Sequence, residues 1–266
     1  MAAGLSRAGR DMNIRAVLLD IGGVLLDGVQ PLPGAAQALA ALRAAGMPFL
    51  LLTNTTRTAH ADLLATLQRA GLDVTQDQLL TPARMACAWL QHHGYRAQLL
   101  VHPALLADFS QVADAAGLPE AVVLGDAGDS FDYAALNHAF RLLMSGAPLL
   151  SLSGARYFRE AGELMLDAGP FVCLLEYAAS VTALEMGKPG ALFFQHAVQR
   201  LGLPAAQALM IGDDVHSDVR GAHDAGLQAA LVQSGKYHAG DENKLPPGAM
   251  LYRDVLAAVE AVLRKA

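Results

Sequence analysis

This chain of 266 residues is poor in several things, and each shortage argues against a class of protein. It has two cysteines, Cys87 and Cys173, and no CxxC pair, which argues against a disulfide scaffold or a structural zinc site and suits a reducing compartment. It is short of positive charge: 19 Lys and Arg stand against 25 Asp and Glu, a net charge of −6, with no Lys/Arg-rich run. No nucleic-acid surface is therefore expected. No apolar run reaches the length of a membrane span, so no membrane partner is expected either. The opening residues, MAAGLSRAGRDMN, carry Arg7 and Arg10 but lack the apolar stretch of a signal peptide. Residues 1–12 are expected to form a disordered tail, and the cytoplasm is the expected location.

Hydrophobic residues are abundant, at 53% against 17% charged, so the chain has ample material for a core. Apolar runs alternate with helix-like segments, the pattern of an α/β fold built on a parallel sheet. Ile14–Asp20, Pro48–Asn54, Ala208–Asp213 and Leu227–Gln233 read as buried strands. Gly34–Gly46, Thr58–Ala70, Val219–Ala225 and Val255–Arg264 read as helices. In the second of these Leu63, Leu64 and Leu67 face inward and Gly71 is the stop. A further helix is expected to open at Lys188-Pro189 and run through Leu201, with Leu192, Phe193, Ala197 and Val198 on its apolar side.

The middle of the chain, from about Thr81 to Glu185, has a cycle of its own. Strands are expected near Ala97–Val101, Ala121–Gly125 and Pro148–Ser153, with helices near Arg84–His92 and Asp132–Met144. This reads as a separate α/β unit inserted into the first.

Four segments carry the chemistry: Asp20-Ile21-Gly22-Gly23-Val24, Thr53-Asn54-Thr55, Lys188-Pro189, and Gly212-Asp213-Asp214 with Asp218. Each alone has a bland reading as a turn, a loop or a helix cap. As an ordered set they are different, because three of them end or follow apolar strands. All strand ends of a parallel sheet face one edge, so the four can meet in one crevice.

The reaction that wants these groups together is phosphoryl transfer. An aspartate nucleophile, Asp20, divides phosphate hydrolysis into two easier steps through an aspartyl-phosphate. Two anions must meet there, and oxygen ligands suit Mg²⁺ as the cation between them. Asp20 and Asp213 can bind the ion, with Asp214 and Asp218 orienting waters around it. Lys188, with the Thr53 hydroxyl or Asn54, balances the remaining phosphoryl charge. Thr55 completes the candidate substrate-binding set of Gly22, Asn54, Thr55 and Lys188.

With these residues in place the sequence resembles the haloacid dehalogenase superfamily of Mg²⁺-dependent phosphatases, from about Arg15 onward. The family motifs fall on Asp20 as nucleophile, Thr53 as phosphoryl-binding hydroxyl, Lys188 for charge balance, and Asp213 with Asp218 at the metal. GDAGDSFDY (125–133), LMLDAGPF (164–171), MIGDDVHSDVRGAHDAG (210–226) and SGKYHAGDE (234–242) resemble one branch of that family more specifically. The resemblance implies a Rossmann-like parallel core formed by residues 13–82 and 186–266, a C2-type α/β cap formed by 83–185, and a possible homodimer.

One position departs from the family pattern. Most phosphatases of the superfamily carry a second aspartate two residues after the nucleophile, which protonates the leaving group and then activates water. Here that position is Gly22. The branch resembled also lacks the acid, typically with serine, and the family's other use of the position, a backbone carbonyl for Mg²⁺, survives in Gly22. Losing the acid hurts poor leaving groups most, so the expected substrates are activated P–N or P–O–P compounds such as phosphohistidine, phospholysine and pyrophosphate, or small phosphate esters. The alternative is a phosphate-binding regulatory module with vestigial turnover. Asp27 is expected to be a surface turn residue. Asp126, Asp129 and Asp132 are expected in turn and N-cap roles, with contact to substrate as the other reading.

Overall fold

The computed structural model describes residues 13–113, 116–160 and 162–265. The tail expected at residues 1–12 lies outside the described residues. The first strand, β1 (Ala16–Asp20), runs into a small hairpin, β2 (Leu26–Asp27) and β3 (Gln30–Pro31). Then follow α1 (Ala35–Ala44), β4 (Phe49–Leu52), α2 (His60–Arg69), β5 (Leu79–Leu80) and α3 (Pro82–His93). The middle segment contributes β6 (Arg96–Leu100), α4 (Ser110–Ala113), β7 (Glu120–Leu124), α5 (Tyr133–Met144) and β8 (Leu149–Ser151). It continues with a hairpin, β9 (Tyr157–Glu160) and β10 (Glu163–Leu166), then α6 (Ala168–Ala179) and β11 (Leu184–Glu185). The chain closes with α7 (Ala191–Leu201), β12 (Ala208–Gly212), α8 (Gly221–Asp224), β13 (Gln228–Val232), β14 (Met250–Tyr252) and α9 (Val255–Leu263).

Two parallel sheets result. The six-stranded one has the order β14-β13-β12-β1-β4-β5, and the four-stranded one β11-β8-β7-β6. Every neighbouring pair in both is parallel. In the larger sheet the chain leaves β1 toward β4 on one side and later returns to pair β12 on the other. That makes the C-terminal end of β1 a topological switch point, where open α/β sheets form their crevice. The architecture is the α/β core with an α/β cap that the sequence suggested.

Side-chain alternation explains the layering. Val17 and Leu19 of β1 face a core closed by α1 and α9, while Leu18 faces a second core filled by Phe193 and Phe194 of α7. That second core continues through Met186 and α3 into Val123 and Leu150 of the cap sheet, so core and cap are packed through shared apolar surface. On the far side of the cap sheet, Leu143 of α5 and Leu175 of α6 cover Val122 and Leu124.

Several expectations need correction. Leu192 is exposed, because the buried stripe of α7 runs through Phe193, Phe194, Ala197 and Val198 and leaves position 192 on its flank. Lys188 lies on the loop before α7, which begins at Ala191 and not at Lys188-Pro189. The helix expected at Val219 starts earlier, with a wide turn over Val215–Arg220 in which Asp218 and Val219 both donate to the Asp214 carbonyl. The hairpin β9–β10 and helix α6 carried no expectation. Every residue of β10 is exposed, so the alternation that marks a half-buried strand is absent.

Candidate active site

Backbone register brings the expected residues together. Asp20 pairs with Leu52, so Thr53 emerges from the next strand beside it. Leu19 pairs with Ile211 on the other side, which places Asp213 just beyond the end of β12. Asp218 is turned inward by the wide turn that follows. Asp20, Thr53, Lys188, Asp213 and Asp218 are all buried, Asp213 and Asp218 at 1% exposure. Polar groups are rarely buried so completely without a partner or a ligand.

Lys188 links two of the carboxylates. Its Nζ lies 2.5 Å from Asp20 Oδ1 and 2.7 Å from Asp218 Oδ1. Asp20, Asp213 and Asp218 each offer an oxygen within 4.8 Å of the others. Burial works against the Lys188 charge, but Asp20 and Asp218 outweigh it and hold the ammonium above its usual range. Burial pushes all three carboxyls up, Asp218 to about 6, with Lys188 pulling Asp20 and Asp218 the other way. Three carboxylates and one ammonium leave two negative charges uncompensated. Asp213 Oδ1 is buried with no hydrogen-bond partner among the described residues. A hard divalent cation fits that donor set and satisfies the orphaned oxygen.

The walls of the site are tight. Asp213 Oδ2 accepts the Lys236 N–H at 2.7 Å. A Cβ on either Gly23 or Gly235 would overlap this same Oδ2, and both glycines have positive φ, +77° and +57°. Ser234 Oγ donates to the Gly23 carbonyl at 2.6 Å, tying the two loops together. A Cβ at Gly22, by contrast, would meet nothing within 4 Å.

The other candidates divide by location. Thr53 Oγ1 accepts the Thr55 N–H at 3.2 Å, and both residues line the crevice. Asn54 holds the backbone of Lys188, accepting its N–H at 2.8 Å and donating to its carbonyl at 2.6 Å. Asp214 caps the wide turn through the His216 and Ser217 N–H groups and lies outside the trio. Asp27 is exposed on β2 at the crevice rim. Asp132 caps α5 through Ala135, and Asp126 accepts the Gly128 N–H, the turn roles expected of them.

The crevice encloses about 870 Å³. Its cap wall includes Tyr157, Phe158 and Asp167; the first two carry no sequence signal, and Asp167 falls within LMLDAGPF without a role assigned to it. A link between cap and core holds this wall: Arg57, just past Thr53-Asn54-Thr55, pairs with Asp126 at 3.3 Å and Glu160 at 3.1 Å and lies over the Phe158 ring. Neither this link nor the Gly23–Gly235 approach has a local sequence signal, although Gly235 falls within SGKYHAGDE.

A parallel sheet with a buried carboxylate trio and a paired lysine at its switch point defines a hydrolase centre of the haloacid dehalogenase kind, and comparisons with known proteins agree. A haloacid dehalogenase-like hydrolase model matches residues 17–119, and a HAD-hydrolase-like model matches residues 185–261. Human phospholysine phosphohistidine inorganic pyrophosphate phosphatase is 40% identical over 260 residues, 95% of this chain and 96% of that protein. Human haloacid dehalogenase-like hydrolase domain-containing protein 2 is 40% identical over 254 residues, 94% of this chain and 96% of its own. Among solved structures, a 4-nitrophenylphosphatase from Thermotoga maritima superposes with a TM-score of 0.82 at 24% identity, covering 95% of this chain and 98% of its own. A glycerol phosphate phosphatase from Mycobacterium tuberculosis, in complex with magnesium, gives 0.76 at 25% identity, covering 93% and 77%. The chain belongs to the haloacid dehalogenase-like hydrolase family and is an enzyme of its phosphatase type.

Proposed function

We propose that this phosphatase is Mg²⁺-dependent and works through an aspartyl-phosphate on Asp20. The observation that carries the reading is the buried trio of Asp20, Asp213 and Asp218 with Lys188 bridging two of its members. Asp20, Asp213 and the Gly22 carbonyl would hold the ion, with Asp214 and Asp218 around it. The ion supplies charge neutralisation between the nucleophile and the phosphoryl oxygens. Asp20 attacks phosphorus, Lys188 and the Thr53 hydroxyl balance the phosphoryl charge, and Thr55 and Gly22 shape the pocket. Asn54 serves by fixing Lys188. Residues 13–82 with 186–266 act as the catalytic core and 83–185 as the cap, whose closure over the crevice excludes water.

The substrates are activated P–N or P–O–P compounds, phosphohistidine, phospholysine and pyrophosphate among them, or small phosphate esters. The absent acid at Gly22 supports this, as does the name of the 40%-identical human relative. No helix among the described residues is long and apolar enough to cross a membrane, which is compatible with a cytoplasmic place of action.

The test is Mg²⁺-dependent hydrolysis of an aryl phosphate, followed by a panel of pyrophosphate, phosphohistidine, phospholysine and phosphomonoesters, for the native protein and Asp20→Asn. Loss of about 10⁴-fold or more in the variant supports the nucleophile. Equal rates would sink the reading and favour a phosphate-binding module.

A further inference from the structure

Gly22 leaves the crevice without the usual proton donor, yet the cap wall brings in another carboxylate. Asp167 sits between β10 and α6, half-buried, and lines the same crevice as Asp20. Its Oδ1 caps α6 by accepting the Ala168 N–H at 2.6 Å. Two backbone contacts position the segment: the Asp167 N–H donates to the Arg156 carbonyl, and Gly169 packs so closely that a Cβ there would lie 2.6 Å from the Ala155 carbonyl oxygen. The Arg57 link fixes the adjoining hairpin over the core.

Resting on the nucleophilic role proposed for Asp20, we infer that Asp167 is a proton donor to the leaving group, supplied by the cap and partly making up for the acid missing at Gly22. The geometry of in-line displacement supports this. Asp20 approaches phosphorus from the core, so the leaving atom departs on the opposite side, toward the cap. In the first step the Asp20 carboxylate bonds to phosphorus, the bond to the leaving oxygen or nitrogen breaks, and that atom takes the Asp167 proton. In the second, water attacks the aspartyl-phosphate, its proton passes to the Asp167 carboxylate, and Asp20 and inorganic phosphate are released.

Apart from Asp20, Asp213 and Asp214, which belong to the candidate metal site, the crevice is lined by two further carboxylates, Asp27 and Glu185, and both are exposed. Burial pushes the Asp167 carboxyl up; the Ala168 N–H opposes it, Asp126 adds to it and Arg57 opposes it. The net effect leaves it more readily protonated than an open carboxyl.

The experiment is a cycle of Asp167→Asn, Gly22→Asp and the double variant, with kcat/KM measured on alkyl and aryl phosphates of graded leaving-group pKa. Asparagine keeps the helix cap, and unchanged thermal unfolding confirms that the variant folds. Asp167→Asn is expected to lower alkyl turnover about tenfold or more while changing aryl turnover far less. Gly22→Asp should restore alkyl turnover in the Asp167→Asn background and gain more there than in the native protein. Equal loss on all substrates, no loss, or the same gain from Gly22→Asp in both backgrounds overturns the assignment. If Asp20→Asn is as active as the native protein, the nucleophile reading has failed; if it is inactive and the cycle is additive, only the Asp167 role has.

Discussion

Asn54 holds both backbone polar groups of Lys188, a residue 134 positions later in the chain. The side chain so fixed is the buried ammonium that bridges Asp20 and Asp218. Gly187 makes this possible, since a Cβ there would lie 2.8 Å from Asn54 Oδ1. Asn54→Ala removes both bonds, each worth about 1 kcal/mol. We predict that kcat falls roughly tenfold, while affinity for phosphate, which the proposed Thr53 and metal contacts would still provide, changes little. Steady-state kinetics with phosphate inhibition checks this; a pure KM effect would contradict it.

Gly23 and Gly235 meet over the Asp213 carboxylate, and neither has room for a side chain. Alanine at either position must displace Asp213 Oδ2 and adopt a positive φ, which only glycine does without strain. Gly23→Ala is therefore predicted to weaken Mg²⁺ activation by about tenfold or more and to destabilise the protein by about 1–3 kcal/mol. A Mg²⁺ titration of activity and a urea unfolding curve give the two numbers separately.

Magnesium should stabilise the protein in a pH-dependent way. Burial holds the carboxyls of Asp20 and Asp213 above their usual range and that of Asp218 at about 6. A carboxyl raised in the folded state favours folding fully below its unfolded value, near pH 4, and loses that contribution as pH rises through the folded value. Mg²⁺ competes with those protons. Its effect on the unfolding temperature is predicted to be small near pH 5 and to grow as pH passes about 6. A shift of the same size on both sides of that window would count against the trio as the metal site.

The sequence made the core and its chemistry legible because both follow short-range rules. β1 and β12 are continuous apolar runs that end in or lead directly to acid, and parallel pairing alone brings Asp20 and Asp213 together. What escaped depends on contacts without a local pattern. Arg57 carries no sequence signal for its pairing with Asp126 and Glu160, which only the fold brings beside it. The fully exposed β10 has no alternation to detect. Asn54 looked like a substrate ligand, and only the fold brings Lys188 to its amide. Asp218 is expected around the metal, and the wide turn after Asp214 brings its carboxylate within 4.8 Å of those of Asp20 and Asp213.

Gly22→Asp tests the reading of substrate preference most directly. The position is exposed, its φ is not positive, and a Cβ there meets nothing within 4 Å, so the backbone and first side-chain atom of an aspartate are accommodated. Positioned acid–base groups contribute about 10² to 10⁴ in rate, most when the leaving group is a strong base. Turnover of alkyl phosphates should rise about tenfold or more relative to an aryl phosphate, whose leaving group needs little help. The gain falls short of the full range because Asp167 already supplies part of the proton. Pyrophosphate and phosphohistidine should change little. Measuring kcat/KM for the native and variant proteins on one alkyl ester, one aryl ester and one phosphoramidate decides the matter. An equal change on all three would show that Gly22 shapes the pocket and does not set the leaving groups this enzyme accepts.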